Sequence, residues 1–154
     1  MIKHLFRPRA IAVGFVAIFT IMQLVPVWAW QTNPPVVTDV AWTTPEAASI
    51  ARRACYDCHS NETVWPWYGK IAPVSWLVTY DVVKGRRELN FSLPLREPDE
   101  LAAEIAEVLR AGEMPPRPYL ALHPEARLSA WETQTLIAGA PGSAGLPNER
   151  DRDD

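Results

Sequence analysis

Cys55-Tyr-Asp-Cys58-His59 is the stretch that decides how the rest of the chain is read. Two cysteines separated by two residues and followed at once by histidine form the attachment pattern of c-type haem. The spacing has a mechanical reason. Two thiols three positions apart reach the two vinyl groups of one porphyrin edge, and the histidine that follows is held under the iron as its proximal ligand. Other uses of these residues demand different company. A structural or redox disulfide between Cys55 and Cys58 has no need of His59. Zinc needs further ligands, whereas residues 31–154 hold no other cysteine and only His123 as a second histidine. The motif predicts one covalently attached haem c, with its iron on His59.

Upstream, no side chain from Ala10 to Val27 is charged, while Lys3, Arg7 and Arg9 crowd the segment in front. That run is long enough for a helix to cross the hydrocarbon layer and longer than most signal-peptide apolar cores. Trp28 and Trp30 follow it, as indoles do at the water–lipid boundary, and the basic residues all precede it. Residues 1–30 therefore read as an N-terminal signal anchor. It makes a single pass through the inner (cytoplasmic) membrane and leaves the rest on the periplasmic, extracytoplasmic side. Cleavage near Ala29 is the alternative, and it exports the same domain. Haem is attached to such motifs outside the bacterial cytoplasm, so motif and compartment agree.

The chain has 154 residues, and the fifteen basic and eighteen acidic ones give a net charge of −3. The three basic residues of the leader have no acidic counterpart there, so Gln31 onward carries −6. Nucleic acid is excluded as a natural partner, because neutralising phosphates needs a basic face. With leader and tail set aside, about a hundred residues remain, room for one small domain and too few for a two-domain enzyme.

Residues 31–43, with Pro34-Pro35, suit an extended spacer holding the domain off the bilayer. The domain proper is expected over 44–139, and its first helix after Thr44. Thr44 can cap the first turn, Pro45 is tolerated at the first helical position, and Ala47, Ile50, Ala51 and Ala54 recur at helical spacing up to Cys55. A second helix is expected from near Pro73, containing Trp76, Leu77, Tyr80, Val83 and Leu89. A third runs from Pro98 to Arg110, with acids early, arginine late and Gly112 placed to end it. The last is announced by the capping-box pattern Ser129-Ala-Trp-Glu132 and carries Trp131, Leu136 and Ile137. No strand pattern of useful length appears. The fold class is all-α, four short helices joined by proline-stiffened loops, with a disordered polar tail over 140–154.

The occupant of the second axial position decides function more than attachment does. The exported region has one methionine, Met114, in Gly112-Glu-Met-Pro-Pro116, where the prolines can hold a thioether in place. Met114 is the expected distal ligand and His123 the competitor. Trp65-Pro-Trp67-Tyr68 can line a haem edge and reach its propionates, and Lys70, Arg86 and Arg87 are candidate counter-ions. The ordinary alternative for these residues is core packing or a solvated charge.

With these residues in view, the chain resembles the haem-binding domain family of small, membrane-anchored c-type cytochromes. The resemblance runs through Cys55–Thr63, Trp65–Tyr68, Ile71–Trp76, Asp81-Val82 with Gly85-Arg86, Leu89–Ser92, Gly112–Pro116 with Tyr119, and His123–Ser129. It implies a mono-haem, cytochrome c-like helical fold, Cys55 and Cys58 as attachment sites, His59 as proximal ligand and Met114 as the distal candidate. Members often show a tryptophan shortly after the Asn-Phe-Ser segment, where this chain has Leu93-Pro94.

Three functions compete. The first is an electron carrier with both axial sites filled and no enzymatic activity. It would exchange single electrons with membrane-bound partners, and the acidic domain favours a basic docking face on them. The second is a haem-based sensor or peroxidase-like enzyme with an open or labile distal site, drawing on His123 or Glu113. The third is a disulfide or metal module without haem, which a colourless protein would reveal.

Overall fold

The computed structural model describes residues 8–94 and 97–143, and no strand occurs among them. Seven α-helices follow in chain order: α1 (Pro8–Met22), α2 (Pro45–Ala54), α3 (Tyr56–His59), α4 (Val74–Glu88), α5 (Pro98–Arg110), α6 (Arg117–Leu122) and α7 (Ala130–Gly139). Short 3₁₀ turns stand at Val27–Trp30, Trp67–Lys70 and Pro124–Ala126. The all-helical expectation holds.

Helix α1 and the turn after it form an apolar stretch of 23 residues, Pro8–Trp30, long enough to cross a membrane. Lys3 and Arg7, on which its orientation was argued, lie outside the described residues, as do residues 144–154 of the polar tail. The beginning of that tail is not loose. Ala140 is fully buried, and a Cβ added to Gly142 would stand 2.3 Å from the Pro98 backbone at the start of α5.

The local signals for α2, α5 and α7 act as their chemistry requires. Thr44 Oγ accepts the Ala47 amide at 3.1 Å, and α2 buries Ala47, Ile50, Ala51 and Ala54. Gly112, at φ +67°, reverses the chain after α5. The Gly112 and Glu113 amides bond the Leu109 and Val108 carbonyls at 3.1 and 3.0 Å, so the last carbonyls are satisfied. Ser129 and Glu132 close both halves of the capping box on α7. The core gathers Ile50 and Ala51 of α2, Tyr56 of α3, Ala102, Ile105, Ala106 and Leu109 of α5, and Leu136 and Ile137 of α7 around Phe91. Trp131 does not join that core and is 65% exposed at the first turn of α7.

One helix packs against the size of its side chains, and one expectation needs correcting. Helix α4 does not turn its large residues inward: it buries Ser75, Thr79, Val82 and Gly85, while Leu77 and Tyr80 are 52% and 62% exposed. The reason is proximity. A Cβ on Gly85 would lie 2.6 Å from the Cys58 carbonyl oxygen, so only small side chains fit where α4 meets α3. Nor is 31–43 a spacer. It is irregular in conformation but stitched to the domain by bonds from Val37 and Thr38 amides to Ser92 O, Asn33 Nδ2 to Thr63 O, and Asn61 Nδ2 to Pro35 O. Val40 joins the core, and Arg52 of α2 pairs with Asp39. Further back, the Gln23 side chain accepts the Ala72 amide and donates to the Ala72 carbonyl, and Gln31 Nε2 donates to Gly69 O and Thr79 Oγ. The domain therefore abuts the end of the apolar helical stretch directly.

Candidate functional site

Cys55 is the hinge between α2 and α3. Its amide still bonds the Ala51 carbonyl at 2.8 Å, its φ/ψ of −126°/−34° leaves the helical path, and its carbonyl accepts the Cys58 and His59 amides. One helical turn thus presents both thiols and the imidazole. Cys55, Cys58 and His59 open onto one cavity, and Met114, brought there by the reversal at Gly112, lines it too. Its walls are mainly apolar, with Trp42, Phe91, Ile105, Leu109 and Leu136 among them, and Asp81, Lys84, Glu88 and Glu104 lie at polar points of the lining.

His59 is gripped on two sides by the segment after α4. Nδ1 lies 3.1 Å from the Leu89 carbonyl, and the Phe91 amide donates to the His59 carbonyl at 2.8 Å. A carbonyl can only accept, so Nδ1 carries the proton and Nε2 keeps a lone pair. Burial lowers the imidazole's pKa, against the smaller opposing pull of the Leu89 bond, which keeps the ring neutral as a ligand must be. Asn90 Nδ2 bonds Asn61 Oδ1, its Oδ1 accepts the Ser92 amide, and Ser92 Oγ accepts the Asn61 amide. Phe91 stacks on Tyr56 at 5.2 Å and tilts against His59 at 6.2 Å. Residue-by-residue reading gave Leu89, Phe91 and Gly85 no part in the site. The available signal was Gly85 itself, because glycine inside a helix costs about 1 kcal/mol relative to alanine and needs a compensating reason.

Cys55 and Cys58 are free thiols, each pushed up to about 12. Burial is the main cause, followed by each other's charge for Cys55 and by Asp81 and Asp57 for Cys58. A redox-active dithiol works as thiolate, and this environment opposes the thiolate, while zinc would need ligands beyond these two. Among the described residues no three His, Cys, Asp or Glu side chains converge as a metal-holding group. The apolar cavity, the protonated thiol pair, the lone pair of neutral His59 and the Met114 thioether fit a haem.

The remaining predicted residues go elsewhere. Trp65 and Trp67 do not line this cavity: the Trp65 indole donates to Asn33 Oδ1 at 3.2 Å with Arg86 stacked 6.0 Å from its ring, and Trp67 is 76% exposed. Tyr68 and His123 line a second cavity instead, joined by a 2.5 Å hydrogen bond between the phenol oxygen and Nε2. His123 is thereby occupied on Nε2 and bonded to Glu125 through Nδ1 at 3.0 Å. Arg86 lies off the lining of the haem cavity. Its guanidinium binds Ser60 O, Thr32 O, Asn33 Oδ1 and Thr63 Oγ at 2.7–2.9 Å, clamping the 31–43 segment and the loop after His59 together. Lys70 and Arg87 also lie off the lining, and Lys84 supplies its cation.

No curated protein and no solved structure matches the chain. A family model described as haem-binding domain matches residues 17–141, which takes in α2 to α7, the cysteine–histidine turn and Met114. The chain is a haem protein and belongs to the haem-binding domain family.

Proposed function

We propose that this protein is a mono-haem c-type cytochrome that carries single electrons between redox partners. It would be held in the cytoplasmic membrane by the Pro8–Trp30 stretch, with its haem domain on the extracytoplasmic side. The observation that carries the reading is the meeting of Cys55, Cys58, His59 and Met114 on one largely apolar cavity. Cys55 and Cys58 would hold the porphyrin through thioethers, and His59 Nε2 and the Met114 sulfur would hold its iron. When bound, the haem would supply one-electron exchange at its iron, and a thioether among its ligands would raise the reduction potential.

The chain's own residues prepare that site. The Leu89 carbonyl fixes the His59 tautomer and ring direction, the role that outer partners of metal-bound histidines usually play. Phe91, Ile105 and Leu109 exclude water, and the Gly112 reversal with Pro115 and Pro116 fixes where Met114 enters. The acidic exported part favours partners with a basic docking face, with binding that weakens as salt rises.

The test is the visible spectrum of the full chain made in a host that attaches c-type haem, recorded oxidised, reduced, and reduced under carbon monoxide. Sharp low-spin bands that carbon monoxide leaves unchanged are expected. A high-spin or carbon-monoxide-shifted spectrum would replace the carrier reading with an open-site sensor or peroxidase. Loss of the haem on denaturation in acid acetone would overturn covalent attachment.

A further inference from the structure

We propose that the second cavity is a binding site for a hydroquinone, the phenolic two-electron, two-proton donor dissolved in membranes. The proposal rests on the electron-carrier reading above and names the donor.

Three features of the cavity converge. Its mouth is apolar and open, with Val74, Leu77 and Leu122 at 39%, 52% and 58% exposure, which is surface for an amphiphile rather than for water. It also lies beside the apolar helical stretch. Tyr68 adjoins Gly69, Val78 adjoins Thr79 and Val74 is two positions from Ala72, and those three partners are the residues that Gln23 and Gln31 hold.

The third feature is chemical. In the neutral ring, Nδ1–H goes to the Glu125 carboxylate, which leaves His123 Nε2 to accept the Tyr68 hydroxyl. Tyr68, His123 and Glu125 thus form a proton path from the cavity to a carboxylate that is 58% exposed. A purely aliphatic ligand has no use for such a path, and a phenolic donor has to shed protons. Asp57, Cys58, Asp81 and Tyr119 line both cavities, so one thickness of side chains separates this ligand from the haem site. The stoichiometry closes: one hydroquinone becomes one quinone, two protons leave by way of Tyr68, His123 and Glu125, and two ferric haems each gain one electron in successive encounters.

The experiment uses the full-length, haem-loaded protein in detergent and the tail-less, water-soluble 2,3-dimethoxy-5-methylbenzoquinone with its hydroquinone. Calorimetric titration of the quinone is expected to show one saturable site, weakened at least tenfold in Leu77→Glu, a substitution at a half-exposed position. Anaerobic mixing of the hydroquinone with ferric protein is expected to reduce the haem, at least tenfold more slowly in Tyr68→Phe, whose ring still fills its place. No saturable binding, or binding indifferent to Leu77→Glu, overturns the site. Binding followed by equally fast reduction of wild type and Tyr68→Phe overturns the proton path. Dithionite, which needs no site, checks the haem of each preparation: failure to cycle between ferric and ferrous would overturn the carrier reading, while the titration, which involves no electron transfer, still decides the cavity.

Discussion

Replacing Gly85 with alanine asks whether the close approach of α4 to the cysteine–histidine turn is a requirement of the site. By intrinsic helix preference the change should stabilise α4 by about 1 kcal/mol. The geometry opposes it. The added methyl would sit 2.6 Å from the Cys58 carbonyl oxygen and 3.2 Å from Cys58 Cβ, whereas ordinary contact begins at 3.4 Å. The atom in the way is backbone of the turn that presents both thiols, so it cannot swing aside as a side-chain end would. Overpacking of this kind costs about 1–3 kcal/mol, and with rigid backbone in the way we expect its upper end. After the helix gain, a net loss of about 2 kcal/mol remains, which lowers Tm by about 10 °C in a domain of this size. Melting of the detergent-solubilised chain followed by circular dichroism reads the stability, and haem-stained gels read attachment, which should fall with it. Gly112→Ala is the contrast: at φ +67° it is strained by conformation, yet nothing lies within 4 Å of its Cβ, so we expect a loss of about 1 kcal/mol. A Gly85→Ala protein that melts at or above wild type with full haem yield would refute the steric argument.

Met114→Ala should keep its haem-stained band while its reduction potential falls and its ferrous form takes up carbon monoxide; an unchanged potential by redox titration would exclude Met114 as ligand. Arg86→Ala strips four acceptors of their donor and should cost about 2–3 kcal/mol in urea unfolding, and Arg86→Lys should recover little because an ammonium cannot fork to four oxygens. The Glu132 carboxyl titrates below its ordinary value, held down first by the Ser129 amide and then by the Ser129 side chain and Arg53. A group depressed in this way adds stability that is fully present above its unfolded pKa of about 4.3 and disappears as pH falls through the lower folded value. Glu132→Gln should therefore lower the urea midpoint at pH 7 and leave it nearly unchanged well below pH 4, and a gap as wide in acid as at pH 7 would count against the bond.

The elements legible in the sequence are those whose causes are local. Thr44 and Pro45, Gly112, and Ser129 with Glu132 each act within one turn, and a composition window is enough to find them. The cysteine–histidine turn was legible for the same reason. What the sequence hid depends on which segments approach each other. The inward face of α4 is set by its distance from Cys58, so the sizes of its side chains do not show which side faces inward. Trp65 and Tyr68 looked like lining for the haem cavity because aromatic content says nothing of direction. Arg86 looked like a solvated charge because its four acceptors come from two separate stretches of chain, Thr32-Asn33 and the Ser60–Thr63 loop. The proline-rich stretch 31–43 read as a spacer because irregular backbone and free backbone have the same composition.

That stretch changes what an anchor would mean for this protein. A flexible tether lets a redox domain sweep a hemisphere and collide with partners at many heights and angles. Gln23 on Ala72 and Gln31 on Gly69 and Thr79 take that freedom away. With the Pro8–Trp30 stretch in a bilayer, the haem site would travel at one altitude and in one attitude, like a float on a fixed keel. Partner choice then becomes a matter of level as much as of charge: a protein whose own redox centre rides at a different height above the lipid would be excluded however well its surface matched.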